Sequence, residues 1–249
     1  MSQTSKPTFF ELLQQSLQDV EGGYDLLAPK FDQSPYVTPD FILQPFFERI
    51  KKEERDFKNG IDICSGTGAA SLDLAKICSE NFTALDLSQG MLDQCEQKIN
   101  ATHPSTQLSF VKGDALDMPF KNEFDIAVSF GAFGHILEKD QIKFIQQVHQ
   151  VLKPGGVFYF VTTEKLPWWS WSLWKAKIFN GVIHVRNLLY SPKFIMYYLT
   201  FRLPEVKHQF EDVGFEVEIL EDVNFQMHGD QVIDLMALKY FKMVKAIKR

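Results

Sequence analysis

At 249 residues with 45% hydrophobic residues, the chain has the size and composition of one large globular domain, or one domain with an insertion, able to bury a full core. A formal net charge of −6 argues against a general nucleic-acid binder, and no charge-free apolar run reaches the roughly 18 residues that cross a membrane. Its three cysteines, Cys64, Cys78 and Cys95, lack C-x-x-C spacing, so free thiols in a reducing cytoplasm are expected rather than disulfides or a metal site.

Residues 1–7 are polar, and residues 1–20 lack the basic start and apolar run of a signal peptide. Phe9, Phe10, Leu12, Leu13, Leu17 and Val20 fall at helical spacing, and Gly22-Gly23 is expected to stop that helix. The segment Tyr24 to Asp32 and a loop with Pro35 and Pro39 follow. A second helix is predicted from Pro39 to about Lys52, kinked at Pro45. Residues 1–55 are expected to form a helical flap, either covering the sheet edge or closing as a lid over a ligand.

Next comes Gly60-Ile61-Asp62-Ile63-Cys64-Ser65-Gly66-Thr67-Gly68. Ile61 to Ile63 is short, apolar and β-branched, the pattern of a buried strand, and Ser65 to Gly68 is a turn of small residues. A helix is predicted from Ala69, and Phe82 to Asp86 is a second strand ending in a carboxylate. A strand, a glycine turn, a helix and a strand ending in Asp make half of a nucleoside site, because the turn admits a ligand to the backbone and the acid accepts ribose hydroxyls. A dinucleotide site would want a third glycine where this chain has Ser71, and no phosphate-binding lysine follows the turn. Each acid has a structural alternative, since Asp at a strand end also caps helices and turns.

A helix at about 90–101, a strand at 108–111, a strand at 124–130, a helix at 140–152, a stop at Lys153-Pro154-Gly155-Gly156 and a strand at 157–162 complete the alternation. After a break at 165–203, a helix at 205–213 and strands at 215–220 and 232–238 are predicted, followed by a basic, partly amphipathic stretch at 239–249. The fold class is α/β: a doubly wound, mostly parallel, seven-stranded Rossmann-like sheet. The expected units are a flap (1–55), a cofactor-binding core (56–164), an insertion (165–203) and a closing segment of the core (204–249).

Asp62-x-x-x-Gly66-x-Gly68, Asp86, Gly113-Asp114-Ala115-x-x-x-Pro119-Phe120, Phe124-Asp125 with Phe133-Gly134-His135, and Leu152-Lys153-Pro154-Gly155-Gly156 occur in that order. This set resembles the class I S-adenosylmethionine-dependent methyltransferases, in particular the small-molecule branch that includes quinone-biosynthesis enzymes. The resemblance covers about 55–165 well and 205–240 loosely. It implies S-adenosylmethionine as cofactor. The backbone at Cys64, Ser65, Gly66 and Gly68, with Asp62, would meet the amino-acid end. Asp86 would take the ribose, with Leu87 beside it, and Asp114 and Ala115 the adenine. Ser129 and Phe130 would border the methionine moiety, and Tyr24 lies in a segment that in the family closes over the cofactor. The chain departs from the family at Cys64, where glycine is common, and at Gly134, where a first histidine often stands.

His135 suits a general base, or is a loop histidine bonded to backbone. Between Glu164 and Glu205 the chain has no acidic residue, six basic ones and all four tryptophans. This insertion is expected to cap a lipophilic substrate, with Trp168, Trp171, His184, Tyr190 and His135 as contacts, or to touch an anionic membrane peripherally, or only to pack on the sheet. The expectation is a cytoplasmic methyltransferase acting on a small hydrophobic molecule. An NAD(P)-dependent oxidoreductase and a non-catalytic cofactor-binding module are the alternatives.

Overall fold

Strands such as Ile126-Ala127-Val128 and Phe158-Tyr159-Phe160 carry apolar or aromatic side chains toward both faces, so each needs a covered sheet on both sides. The computed structural model, which describes residues 6–34, 36–102, 106–223, 225 and 238–249, provides one. In chain order the elements are α1 (Phe9–Leu17), α2 (Val20–Leu27), a 3-10 turn (Ala28–Gln33), α3 (Asp40–Lys51), β1 (Phe57–Ile63), α4 (Ser71–Ile77), β2 (Cys78–Asp86) and α5 (Gln89–Asn100). Then follow β3 (Gln107–Lys112), β4 (Phe124–Ser129), α6 (Gln141–Val151), β5 (Leu152–Thr163), α7 (Trp171–Leu189), α8 (Glu205–Val213), β6 (Phe215–Leu220) and β7 (Phe241–Lys248).

The described strands form one seven-stranded sheet in the order β3-β2-β1-β4-β5-β7-β6. The first five are parallel, and β7 runs antiparallel between β5 and β6. Alternate residues supply two cores. On one face Ile61, Ile63, Phe158 and Phe160 pack with Phe144 of α6 and Phe210 of α8. On the other, Phe82, Ile126, Val128 and Tyr159 pack with Phe46 of α3, Leu74 of α4 and Leu92 of α5. The expected doubly wound α/β sheet is the observed one.

Four local expectations change. Gly22-Gly23 lies inside α2 rather than ending α1; the break comes at Gln18-Asp19, where the Asp19 side chain accepts the Gly22 N–H at 2.8 Å and caps the new helix. Gly23 is small because a Cβ there would stand 3.0 Å from the Gln15 carbonyl and 3.3 Å from Phe194. Helix α3 is a layer of the core, with Phe46, Phe47 and Ile50 buried against the sheet. Lys153 to Gly156 does not separate helix from strand but bulges within β5, where pairing with β4 jumps from Phe124–Leu152 to Ile126–Val157.

The fourth concerns the last strand. Residues 232–237, where a closing strand was expected, lie outside the described residues. The basic stretch, not read as a strand from sequence, forms β7, with Met243, Val244 and Ala246 fully buried. Its lysines recur every third residue, which mimics a helix face. In the strand each finds its own acceptors: Lys242 pairs with Glu221, Lys245 with Glu53, and the Lys248 ammonium donates to the His149 and Leu152 carbonyls and to Asn122 Oδ1.

Candidate functional site

Strand order reverses between β1 and β4, so the loops leaving their carboxyl ends diverge and open a crevice. The glycine turn after β1 forms one wall. Cys64, Gly66 and Gly68 have φ of 60°, 55° and 85°, all left-handed. Gly66 and Gly68 adopt this freely, whereas Cys64 does so at a cost, at the place where the resembled family commonly has glycine. Gly68 is doubly constrained, because a Cβ would also stand 2.6 Å from Cys95 Sγ. Asp62, 1% exposed, accepts Ser71 Oγ at 2.6 Å and so ties β1 to the start of α4. Burial, with a further push from the Asp86 charge, raises its carboxyl to about 7 despite the Ser71 bond. Burial likewise pushes the Cys64 thiol well above its ordinary range, helped by the Asp86, Asp62 and Asp114 charges, so it stays protonated.

Asp86 ends β2 with its carboxylate at the crevice. One oxygen accepts the Gly66 N–H at 2.8 Å and the other the Ser88 N–H at 2.9 Å. A carboxylate has about four lone-pair sites, so acceptor capacity remains for a ligand. Burial raises its pKa, partly offset by these N–H bonds. Asp114 is exposed at the far end of the crevice, where one oxygen accepts the Leu116 N–H at 2.8 Å. The α2 region closes over this floor. Asp25 accepts Ser88 Oγ and the Gly90 N–H at the start of α5, and Asp32 accepts Thr67 Oγ1 at 2.6 Å in the turn.

The result is a cavity of about 300 Å³, lined among others by Tyr24, Asp62, Cys64, Ser65, Gly66, Asp86, Leu87, Asp114, Ala115 and Phe130. Two expected contacts do not line it. Ser129 is fully buried and donates to the Ile63 carbonyl at 2.8 Å, bracing β1 against β4. Gly68 lies behind the turn against Cys95. Among the described residues the lining includes Glu21, Asp62, Asp86 and Asp114 but no lysine or arginine. Such a wall suits a nucleoside that carries positive charge and no phosphate.

A second cavity of about 400 Å³ shares Tyr24, Tyr36, Val37, Thr38, Phe130, Gly131 and His135 with the first. Its other walls are mainly apolar or aromatic, with Ile42, Phe133, Met196, Tyr197, Leu199 and Phe201 among them. At the junction, Tyr24 Oη and His135 Nε2 are 2.7 Å apart. His135 Nδ1 is 2.6 Å from the Ile195 carbonyl, which can only accept, so Nδ1 carries the proton and Nε2 accepts from Tyr24. Burial lowers the His135 pKa, only partly countered by the Ile195 bond, and burial raises that of Tyr24. Both groups are therefore neutral at pH 7, and the imidazole lone pair is already engaged. Gly134 explains the missing first histidine: a Cβ there would stand 2.9 Å from the Tyr197 carbonyl, where the insertion packs on this turn.

The insertion meets the cavities through residues 195–201, not through the ones expected. Trp168, Trp171, His184 and Tyr190 are exposed and line neither cavity. They sit on or beside α7, whose inner face of Leu173, Ala176 and Ile183 is spent on packing. The contributions of Tyr36, Val37, Thr38 and Ile195 were missed. The aromatic at 36 in a proline-bounded loop was the only sequence signal for them.

Residues 61–156 match the family model described as a methyltransferase domain. A demethylmenaquinone methyltransferase from Staphylococcus aureus is 30% identical over 210 residues, covering 80% of this chain and 85% of that protein. Another from Lactobacillus johnsonii is 29% identical over 155 residues, covering 59% of this chain and 62% of that protein. Among solved structures, DhpI in complex with SAH superposes with a TM-score of 0.62 at 17% identity, covering 96% of this chain and 98% of that one. Magnesium protoporphyrin IX methyltransferase from Synechocystis, with bound SAH, gives 0.57 at 12% identity, covering 99% and 90%. At these identities the two structures speak for the fold.

Proposed function

The chain belongs to the class I S-adenosylmethionine-dependent methyltransferases, and from that premise we propose that its methyl acceptor is a small, hydrophobic, quinone-like molecule. The observation that carries this reading is the pair of cavities that share a wall at Tyr24, Phe130 and His135, one acidic and polar, the other apolar and aromatic. The names of the curated relatives point to the same acceptor class.

The residues of the first cavity fit the cofactor. The remaining acceptor capacity of Asp86 suits ribose hydroxyls, Asp114 with the Ala115 N–H suits the adenine edge, and the acid-lined wall, without lysine or arginine among the described residues, suits a cation. When bound, S-adenosylmethionine supplies an electrophilic methyl group on a positively charged sulfur. In-line transfer depends chiefly on positioning, which the Phe130 and Gly131 boundary and the Tyr24 wall would provide. Tyr24 Oη faces the junction and donates to His135 Nε2. As an acceptor loses its proton to Tyr24, the phenolic proton can pass to His135, leaving an imidazolium whose Nδ1–H is held by the Ile195 carbonyl. Tyr24 is then the group that touches the acceptor, and His135 the positioning residue behind it.

The test is transfer of a labelled methyl group to a demethylated naphthoquinol, with polar phenols and amines as comparison acceptors. Label is expected in the methylated naphthoquinol, with kcat lowered about 100-fold by Tyr24→Phe, the size of a lost acid–base contact, while affinity for S-adenosylhomocysteine is kept. Cofactor binding with no transfer, or transfer to polar acceptors alone, would sink the acceptor reading.

A further inference from the structure

Helix α7 is apolar on two opposite faces. At about 100° per residue, Leu173, Ala176 and Ile183 point to the protein, and Trp171, Trp174, Ile178, Val182, Val185 and Leu189 form one stripe on the other side. All six of the latter are exposed, from 48% for Trp174 to 73% for Leu189. The stripe runs the whole helix, about 28 Å for its 19 residues. Exposed apolar surface of this extent marks a docking face. The helix does not qualify as a membrane span, so the stripe lies along a surface rather than through it.

Charge identifies the surface. Lys175 and Lys177 fall on opposite edges of the stripe, each near a tryptophan ring, at 5.8 Å from Trp171 and 5.0 Å from Trp174. Lys193 is exposed beyond the helix end. No acidic residue lies between Glu164 and Glu205, while the chain as a whole carries −6. An anionic plane therefore attracts this face and repels the remainder, which orients the molecule. A second copy docked stripe to stripe would set lysine rims against each other with no acid inside the stripe to pair them. Tryptophans at the edge of an apolar stripe, flanked by cations, match the headgroup boundary of a bilayer.

We propose that α7 is a membrane-docking helix that lies flat on anionic phospholipid. The helix is joined to the second cavity by one layer of chain: Asn187 bonds the backbone of Phe194, and residues 196–201 line that cavity. A docked helix thus sets the apolar cavity beside the lipid phase. The docking claim rests on the surface alone and does not need the acceptor reading.

All four tryptophans lie at 168–174, so tryptophan emission reports this face directly. The intact chain is titrated with vesicles of phosphatidylcholine alone and of phosphatidylcholine mixed with phosphatidylglycerol, following emission and co-sedimentation. A blue shift and pelleting with the anionic vesicles are expected. Lys175→Gln with Lys177→Gln should weaken binding about 25-fold, about fivefold per lysine. Ile178→Ser with Val182→Ser should weaken it about tenfold or more. S-adenosylhomocysteine affinity, unchanged in both variants, certifies the fold. Absence of any vesicle-dependent change overturns the proposal, as does equal binding to neutral vesicles. So does a concentration-dependent dimer that Ile178→Ser abolishes in a protein that ignores lipid.

Discussion

At Asp62 the fold holds a carboxyl where its charge is disfavoured, at about 7 against 3.8 for the ordinary group. The unfolded chain releases this proton first, so the cofactor-free protein should lose stability as pH rises from about 4 to 7 and level off above. The penalty is on the order of 4 kcal/mol when fully developed. Urea unfolding of Asp62→Asn across this range should show a flatter profile and a higher midpoint at pH 8. A residual slope is expected, because burial shifts Asp86 in the same direction. Cys64 offers a second test. Its φ of 60° is in the left-handed region, so Cys64→Gly should stabilise the protein by about 1 kcal/mol, measured in the same way. Asp86→Ala removes a charge-assisted acceptor worth roughly 1.5–3 kcal/mol. Calorimetric titration with S-adenosylhomocysteine should then read an affinity about 10- to 100-fold weaker; unchanged affinity would remove Asp86 from the ribose role.

At the scale of elements, β7 is the piece whose position depends most on its neighbours. It is hydrogen-bonded on both sides, with Ala246 opposite Phe158 of β5 and Val217 of β6. Ala246→Pro deletes an N–H from an interior strand and should cost about 3 kcal/mol or more, lowering the urea midpoint or preventing folding. The sequence placed β3, β4, α8 and β6 to within a residue at each end, and the carboxyl ends of β1 and β2, whose first four residues were not read as strand, because short apolar runs and breakers allow one reading. It placed Phe241–Lys248 badly, because lysines at every third position imitate a helix and only Glu53, Glu221 and the carbonyls near α6 explain them. That Trp168, Trp171, His184 and Tyr190 lie outside both cavities while His135 lines them has a related reason. Aromatic composition marks the insertion as special, but a helix apolar on both faces does not reveal which one turns inward.

For the whole molecule, the two cavities are assembled from parts distant in sequence. Asp25 and Asp32 fasten the α2 region to α5 and to the glycine turn, and Tyr24 meets His135 across 111 residues. A ligand that binds only this assembled state stabilises it by mass action. At about 100 times its Kd, S-adenosylhomocysteine should add about 2.7 kcal/mol and raise Tm by about 5–10 °C, measured by calorimetry. The same concentration should give Asp86→Ala a much smaller shift.

Local chemistry was enough to determine the cofactor half. A buried strand, a glycine turn and a carboxylate at the next strand end lie within one βαβ unit, so their spacing in sequence nearly fixes their spacing in space. Gly113-Asp114-Ala115 completed the pattern, and the family followed from it. The tertiary structure alone decided the other half: that Asp62 and Ser129 brace the turn and the strands, that the His135 lone pair is taken by Tyr24, and that residues 195–201 rather than the tryptophans face the cavity. Most of these depend on contacts between segments far apart in the chain, Ser129 with Ile63 across 66 residues and Tyr24 with His135 across 111, where burial and close approach, such as that of Tyr197 on Gly134, choose between faces that look alike along the chain.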